Sequence, residues 1–283
     1  MNDELSKVCK WLISNKLSLN IKKSNFIIFR PYQKKLAYTP KINIFDNQTN
    51  KFVPLECKDY VKYLGVLIDY RLSWNNQIDA ILLKISKTIG LLSKLRHSVP
   101  SRTLISIYHS LVAPYLRYGL IAWGQASKSQ LNKLLVLQKR ALRFIYFANF
   151  RDHAIPLFLD ANILPLNFLY YQLLSETMHD VSNHLIPSNI QDLFLPTSRV
   201  HSYNTRSSTS NNFYIKKSNL EIQKYAFLRI GAKLWNEIPT NLRNLPKHQF
   251  KKKIRSLLFE VLESDDSYYD LDGIICKVKK RTS

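Results

Sequence analysis

The chain has 283 residues, of which 46% are hydrophobic, with 16 Tyr, 14 Phe and 4 Trp, enough to bury a sizeable core in one large domain or two ordinary ones. Its 42 Lys and Arg against 20 Asp and Glu give a net charge of +22 and an isoelectric point near 9.9, a footprint for a polyanion, most commonly nucleic acid. The 6 glycines and 11 prolines exclude a low-complexity or collagen-like chain, and the 3 distant cysteines, Cys9, Cys57 and Cys276, exclude a disulfide framework or zinc knuckle.

No apolar window of about 18 residues predicts a transmembrane helix, and Met1-Asn2-Asp3-Glu4 lacks the regions of a signal peptide. With the sparse cysteines this points to a reducing compartment, nuclear or cytoplasmic, and to no membrane partner. The charge is uneven. Residues 61–150 carry 13 basic and 2 acidic side chains, whereas residues 151–213 carry 3 and 5. The phosphate-facing surface is therefore expected in the former.

In chain order, Leu5, Val8, Cys9, Leu12 and Ile13 predict an amphipathic helix over about 3–15. Phe26-Ile27-Ile28-Phe29 reads as a buried strand. Residues 41–45 and 51–54, around the polar stretch 46–50, read as a β-hairpin. Residues 60–69 read as a further buried strand completing a small sheet, with Gly65 at its centre for close backbone approach or a bulge. Ser73 is a suitable N-cap for a helix from Trp74 to about Arg96, whose stripe is Ile78, Ile81, Leu82, Ile85, Ile89, Leu92 and Leu95. A helix from Arg102 to Val112 follows, built on Leu104, Ile107, Tyr108 and Leu111. Next come a short helix over 115–124 closed by Gly124 and a helix over 129–147 that carries Lys133, Lys139, Arg140 and Arg143. Beyond them, helices are predicted over 166–180, 225–235 and 247–262, with a flexible linker at about 187–219 and a disordered tail at 263–283.

An ordered set of short elements carries a resemblance: Leu17-Ser18-Leu19-Asn20-Ile21-Lys22-Lys23-Ser24 with Phe29, then Tyr63-Leu64-Gly65-Val66 with Leu72-Ser73-Trp74. It continues through Ile107-Tyr108, Pro114-Tyr115, Tyr118-Gly119, Trp123-Gly124 and Leu137-Gln138-Lys139-Arg140-Ala141-Leu142-Arg143, and on to His201, Tyr203, Thr205, Arg206, Leu234-Trp235-Asn236 and Ile238-Pro239. Over roughly residues 3–260 the chain resembles the C-terminal part of a reverse transcriptase of non-LTR, jockey-like retrotransposons. The resemblance implies an α+β, mostly α fold: a small antiparallel sheet left from a polymerase palm, then a helical thumb and further helices. It implies the end of the palm with the primer grip at 1–72, a thumb-like basic helical domain at 73–150 and a post-polymerase helical region at 151–262.

Carried over residue by residue, the resemblance implies that Lys23 sits near the pyrophosphate leaving group, where a positive charge stabilises developing negative charge. It implies a primer grip at Tyr63, Leu64 and Gly65, and phosphate contacts from Lys133, Lys139, Arg140 and Arg143. The partners implied are an RNA template and a DNA primer. Taken alone, each of these residues also fits a solvated lysine, a core strand or a solvated helix face. The family's two-metal chemistry rests on aspartates that include a [Phe/Tyr]-Ala-Asp-Asp hairpin. That motif does not occur here; Asp265-Asp266 is the one adjacent aspartate pair, in a polar tail, and Asp69 and Asp79 are isolated. No metal site and no cofactor are therefore expected in this chain, although the complete enzyme would use Mg²⁺, and the chain by itself is expected to be inactive. Two other readings fit the same sequence: a non-catalytic nucleic-acid-binding relic or co-opted module, and a helical protein-interaction scaffold.

Overall fold

The computed structural model describes residues 2–31, 38–46, 51–200, 212–217, 226–264 and 270–282. The chain divides into two compact units, Met1–Asp79 and Ala80–Ser283, with an α+β, mostly α fold. Residues from Ala80 onward belong to one unit.

In the first unit, helix α1 (Asn2–Ser14) precedes a short 3₁₀ turn, Ile21–Lys23. Strand β1 (Asn25–Phe26) pairs in parallel with β4 (Glu56–Cys57), while β2 (Asn43–Asp46) and β3 (Lys51–Pro54) form the expected hairpin. Of the buried strand expected at 26–29 only Phe26 lies in a strand, β1, and Phe29 is exposed.

The stretch expected as one buried strand over 60–69 is a second hairpin. Its strands, β5 (Tyr60–Tyr63) and β6 (Val66–Asp69), run in the register Tyr60↔Asp69 to Tyr63↔Val66. Leu64 (φ 45°) and Gly65 (φ 85°) form its two-residue turn, and two positive φ values in succession are the signature of a type I′ turn, which matches the right-handed twist of the strands. Gly65 thus serves a turn rather than a bulge. Among the described residues the strands form three separate two-stranded ladders instead of a common sheet.

Helix α2 (Asn75–Leu95) starts one residue later than the sequence indicates. Ser73 Oγ is 3.5 Å from the Asn75 N–H, too far for a strong cap, and Trp74, at φ 64°, supplies the first helical acceptor to Ile78. Asp69 organises this junction. Its buried carboxylate accepts the backbone N–H of Arg71 (3.0 Å), Ser73 (3.1 Å) and Trp74 (2.8 Å), and Gln77 Oε1 accepts the Leu67 N–H at 2.9 Å. The hairpin and the start of α2 are therefore locked together.

The second unit is built around helix α8 (Leu166–Ser182). After α2 come α3 (Ser101–Leu111), α4 (Ala113–Arg117), α5 (Leu120–Trp123), α6 (Lys128–Ile145), α7 (Ile155–Asp160) and α8 (Leu166–Ser182). The single helix expected over 115–124 is split, because Gly119 takes φ 65° between α4 and α5. Gly124 does close α5, and it also permits a close approach: a Cβ there would lie 2.7 Å from the Tyr170 ring. Leu111, expected inward, is exposed. Leu166, Phe168, Leu169, Tyr170, Tyr171, Leu174, Met178 and Val181 are all buried, so α8 is apolar around most of its circumference and sits at the centre.

Two short helices, α9 (Ser188–Gln191) and α10 (Thr197–Val200), lie in the stretch expected as a flexible linker, and Pro196 bridges to Phe213. His201, Tyr203, Thr205 and Arg206 lie outside the described residues. Helices α11 (Phe227–Glu237), α12 (Thr240–Arg243) and α13 (Lys247–Ser264) follow. His179 of α8 stacks on Phe250 with ring centroids 4.5 Å apart and meets the Leu245 carbonyl through Nε2 at 2.9 Å. It is a core residue.

The tail expected to be disordered contains helix α14 (Leu271–Thr282), which buries Ile274, Ile275 and Val278. A run of basic and acidic residues reads as solvated tail from local composition, yet three of its charges pair with distant residues. Lys128 pairs with Asp270, Lys233 with Asp272 and Lys279 with Glu237. The Lys128 hydrogen bond holds the Asp270 carboxyl below its ordinary pKa, so this contact contributes at neutral pH and fades as acid protonates the carboxylate.

Two stability outcomes follow from these contacts. Asp69→Ala strands three backbone donors, at about 1–3 kcal/mol for each one left unsatisfied; urea unfolding should show a loss of roughly 3 kcal/mol, with faster amide exchange at residues 71–74. Ile274→Ala should cost about 2–4 kcal/mol of thermal or urea stability if α14 is docked, and nothing measurable if the tail is loose.

Candidate nucleic-acid interface

In the first unit, Lys23 ends the 3₁₀ turn. Its backbone N–H donates to Asn20 Oδ1 at 3.2 Å and its side chain is exposed. The strand that follows is fixed along the Glu56–Cys57 side by the β1–β4 pairing and the Lys58 N–H to Phe26 carbonyl bond. Tyr63, Leu64 and Gly65 form the tip of a separate two-stranded ladder, the β5–β6 hairpin.

The tip is open to solvent, with Tyr63 64% and Leu64 73% exposed and Lys62 exposed beside them. A leucine at φ 45° goes against local preference, since type I′ turns favour Asn, Asp or Gly at that position. Backbone strain in so exposed an apolar residue is unusual.

In the second unit, the four basic residues of α6 have different surroundings. Gln138 fixes the helix rotation: its amide donates to Tyr108 Oη (2.9 Å) and the Leu164 carbonyl (3.1 Å) and accepts the Leu166 N–H (2.9 Å). With Leu134, Leu135, Ala141, Leu142 and Ile145 also buried, Lys133 and Arg140 face solvent. Lys139 is half-buried, and burial, followed by the neighbouring Arg143, pulls its ammonium below the ordinary lysine pKa. Arg143 donates through Nη2 to the Asp152 carbonyl at 2.8 Å, so part of its guanidinium is committed to holding the loop after α6.

Sequence reasoning missed the aromatic company of these cations. The Arg140 guanidinium lies 5.5 Å from the Phe144 ring centroid, and Arg96, from the end of α2, lies 5.7 Å from Phe144 and 4.7 Å from Phe147. Arg143 lies 5.8 Å from the Phe150 centroid. The signal was present in Arg143-Phe144-Ile145-Tyr146-Phe147-Ala148-Asn149-Phe150, where aromatics recur beside a basic run.

Among the described residues no three His, Cys, Asp or Glu side chains converge. Both oxygens of Asp69 are taken by backbone N–H groups, Asp79 is exposed, and Asp265 and Asp266 lie outside the described residues. No helix among the described residues is long and apolar enough to cross a membrane.

Parts of the chain are similar to curated polymerases of mobile elements. Over 88 residues, 30% of this chain and 10% of the other, it is 37% identical to the RNA-directed DNA polymerase from mobile element jockey of Drosophila melanogaster. Over 149 residues, 51% of this chain and 15% of the other, it is 28% identical to a probable RNA-directed DNA polymerase from transposon X-element of the same organism. A probable RNA-directed DNA polymerase from its transposon BS is 34% identical over 96 residues, 33% of this chain and 11% of the other. The chain therefore covers only 10% to 15% of the length of these relatives. No family profile and no solved structure matches it.

The hairpin tip gives a stability outcome of its own. Replacing Leu64 by Asn supplies the residue the turn favours and relieves roughly 1 kcal/mol of left-handed strain. Leu64→Asn should therefore raise the melting temperature, and a lowered one would show that the leucine packs.

Proposed function

We propose that this chain, a relative of the reverse transcriptases of jockey-like, non-LTR retrotransposons, holds the template–primer rather than carrying out nucleotide addition. The observation that carries the reading is the cationic face of α6, where Lys133 and Arg140 face solvent in a segment with 13 basic and 2 acidic side chains. Among the described residues neither forms an ion pair with a carboxylate. Uncompensated charge on a rigid helix attracts phosphates and releases their counterions, which gives affinity without sequence preference.

In the same reading, the 63–65 tip is the primer grip. A type I′ turn presents backbone with little side chain at Gly65, and Tyr63 and Leu64 offer apolar surface to a sugar. Lys23 is the lysine nearest the triphosphate in the assembled enzyme, where it would hold its proton close to a leaving pyrophosphate. The partner is an RNA–DNA duplex. Mg²⁺ would supply activation of the attacking hydroxyl in the complete enzyme, from carboxylates that this chain's described residues do not bring together.

The test is duplex binding as a function of salt. If about four phosphates are contacted, the log–log slope should lie near −4, and Lys133→Ala with Arg140→Ala should make it shallower by about 2. Arg199→Ala, in the acidic stretch 151–213, should leave the slope unchanged. Binding that ignores salt, or equal losses from both sets, overturns the reading in favour of a protein-interaction scaffold. Primer extension with Mg²⁺ by the chain alone would overturn the division of labour.

A further inference from the structure

Electrostatic contact with a duplex does not account for the end of α6. Tyr146 donates its N–H to Leu142, and Ala148 donates back to the Arg143 carbonyl, which closes a Schellman motif. The left-handed position of that motif, usually glycine, is occupied by Phe147 at φ 56°. A bulky residue works against its backbone there, and burial does not compensate: Phe147 is 48% and Phe150 84% exposed. His97 meets the Phe147 ring edge-on at 5.5 Å, and Arg96 covers part of one face. Arg96 and Arg143 each hold a buried Nε without a hydrogen-bond partner, as expected for guanidinium planes laid against rings. Among the described residues, none of Arg96, Arg140 and Arg143 forms an ion pair, and the nearby Asp152 carboxylate accepts the Asn149 N–H.

We propose that Arg96, Arg140, Arg143, Phe144, Phe147 and Phe150 form a stacking platform for unpaired bases of a single-stranded nucleic acid. This rests on the reading of the chain as a nucleic-acid holder and names which form of nucleic acid this end of the surface takes. The interior of a duplex offers no base faces, whereas every unpaired base has one, and exposed phenylalanines flanked by guanidinium groups match both the base and its phosphate. Strain kept at an exposed aromatic is the mark of a position held for contact rather than for folding.

Two variants separate contact from folding. Phe147→Gly removes the ring and gives the Schellman position its favoured residue, so the helix end is kept. Phe150→Ala removes a ring that is almost wholly outside the core. Short single-stranded DNA and RNA oligonucleotides carrying 2-aminopurine, abasic strands of equal length, and an RNA–DNA duplex are the probes. For the intact chain, quenching of 2-aminopurine by either strand type is expected, with abasic strands bound about ten-fold more weakly; each variant should lose about ten-fold for the base-bearing strand while duplex affinity moves less than about two-fold. Equal affinity for abasic and base-bearing strands, as for a protein-docking patch, or unchanged quenching in both variants, overturns the platform and leaves the duplex reading standing. Failure of the intact chain to bind any nucleic acid overturns both.

Discussion

The buried amide of Gln138 is the constraint on which the second unit depends. One side chain joins α6 to Tyr108 of α3 and to both sides of the turn entering α8, using both amide hydrogens and its carbonyl oxygen. A buried amide with these partners unmet would be costly, so α6 is confined to one rotation about its axis. That rotation decides which of its basic residues reach solvent. Lys133 and Arg140 do, Lys139 is half-covered, and Arg143 is diverted to the loop that follows.

In the first unit Asp69 has the comparable part. Its carboxylate stabilises a loop in which Leu72 and Trp74 both take positive φ, and so holds the hairpin against the beginning of α2. Leu64 and Phe147 also sit in left-handed backbone, but with much of their side chains in water. At Leu72 and Trp74 a buried carboxylate supports the strained loop, and Lys16, Asn162 and His184 are the remaining non-glycine positions with positive φ among the described residues.

Much of the chain was legible because its signals are local. Amphipathic spacing located α1, α2, α3 and α6 to within a few residues, and the polar stretch at 46–50 located the first hairpin. The second hairpin was misread because Tyr60 to Asp69 is apolar on both sides of Gly65, and periodicity cannot tell a buried strand from an exposed hairpin whose turn carries a leucine. The 263–283 tail was misread for the opposite reason: its charges look solvated until Lys128, Lys233 and Glu237 arrive from elsewhere in the chain. The basic residues of α6 could be picked out as a set, but not ranked.

By itself, then, the sequence determined the helical core, the excess of positive charge between residues 61 and 150, and the similarity to jockey-like polymerases. The first two depend on composition and on neighbours three or four positions apart, the third on an ordered set of short motifs. Tertiary structure alone decided that Asp69 is a buried acceptor rather than a stray acid, that α14 is docked, and that Arg96 reaches the rings after α6. Each of those depends on which distant groups are brought within hydrogen-bonding or van der Waals reach, and this is fixed only when buried polar atoms such as those of Gln138 find their partners.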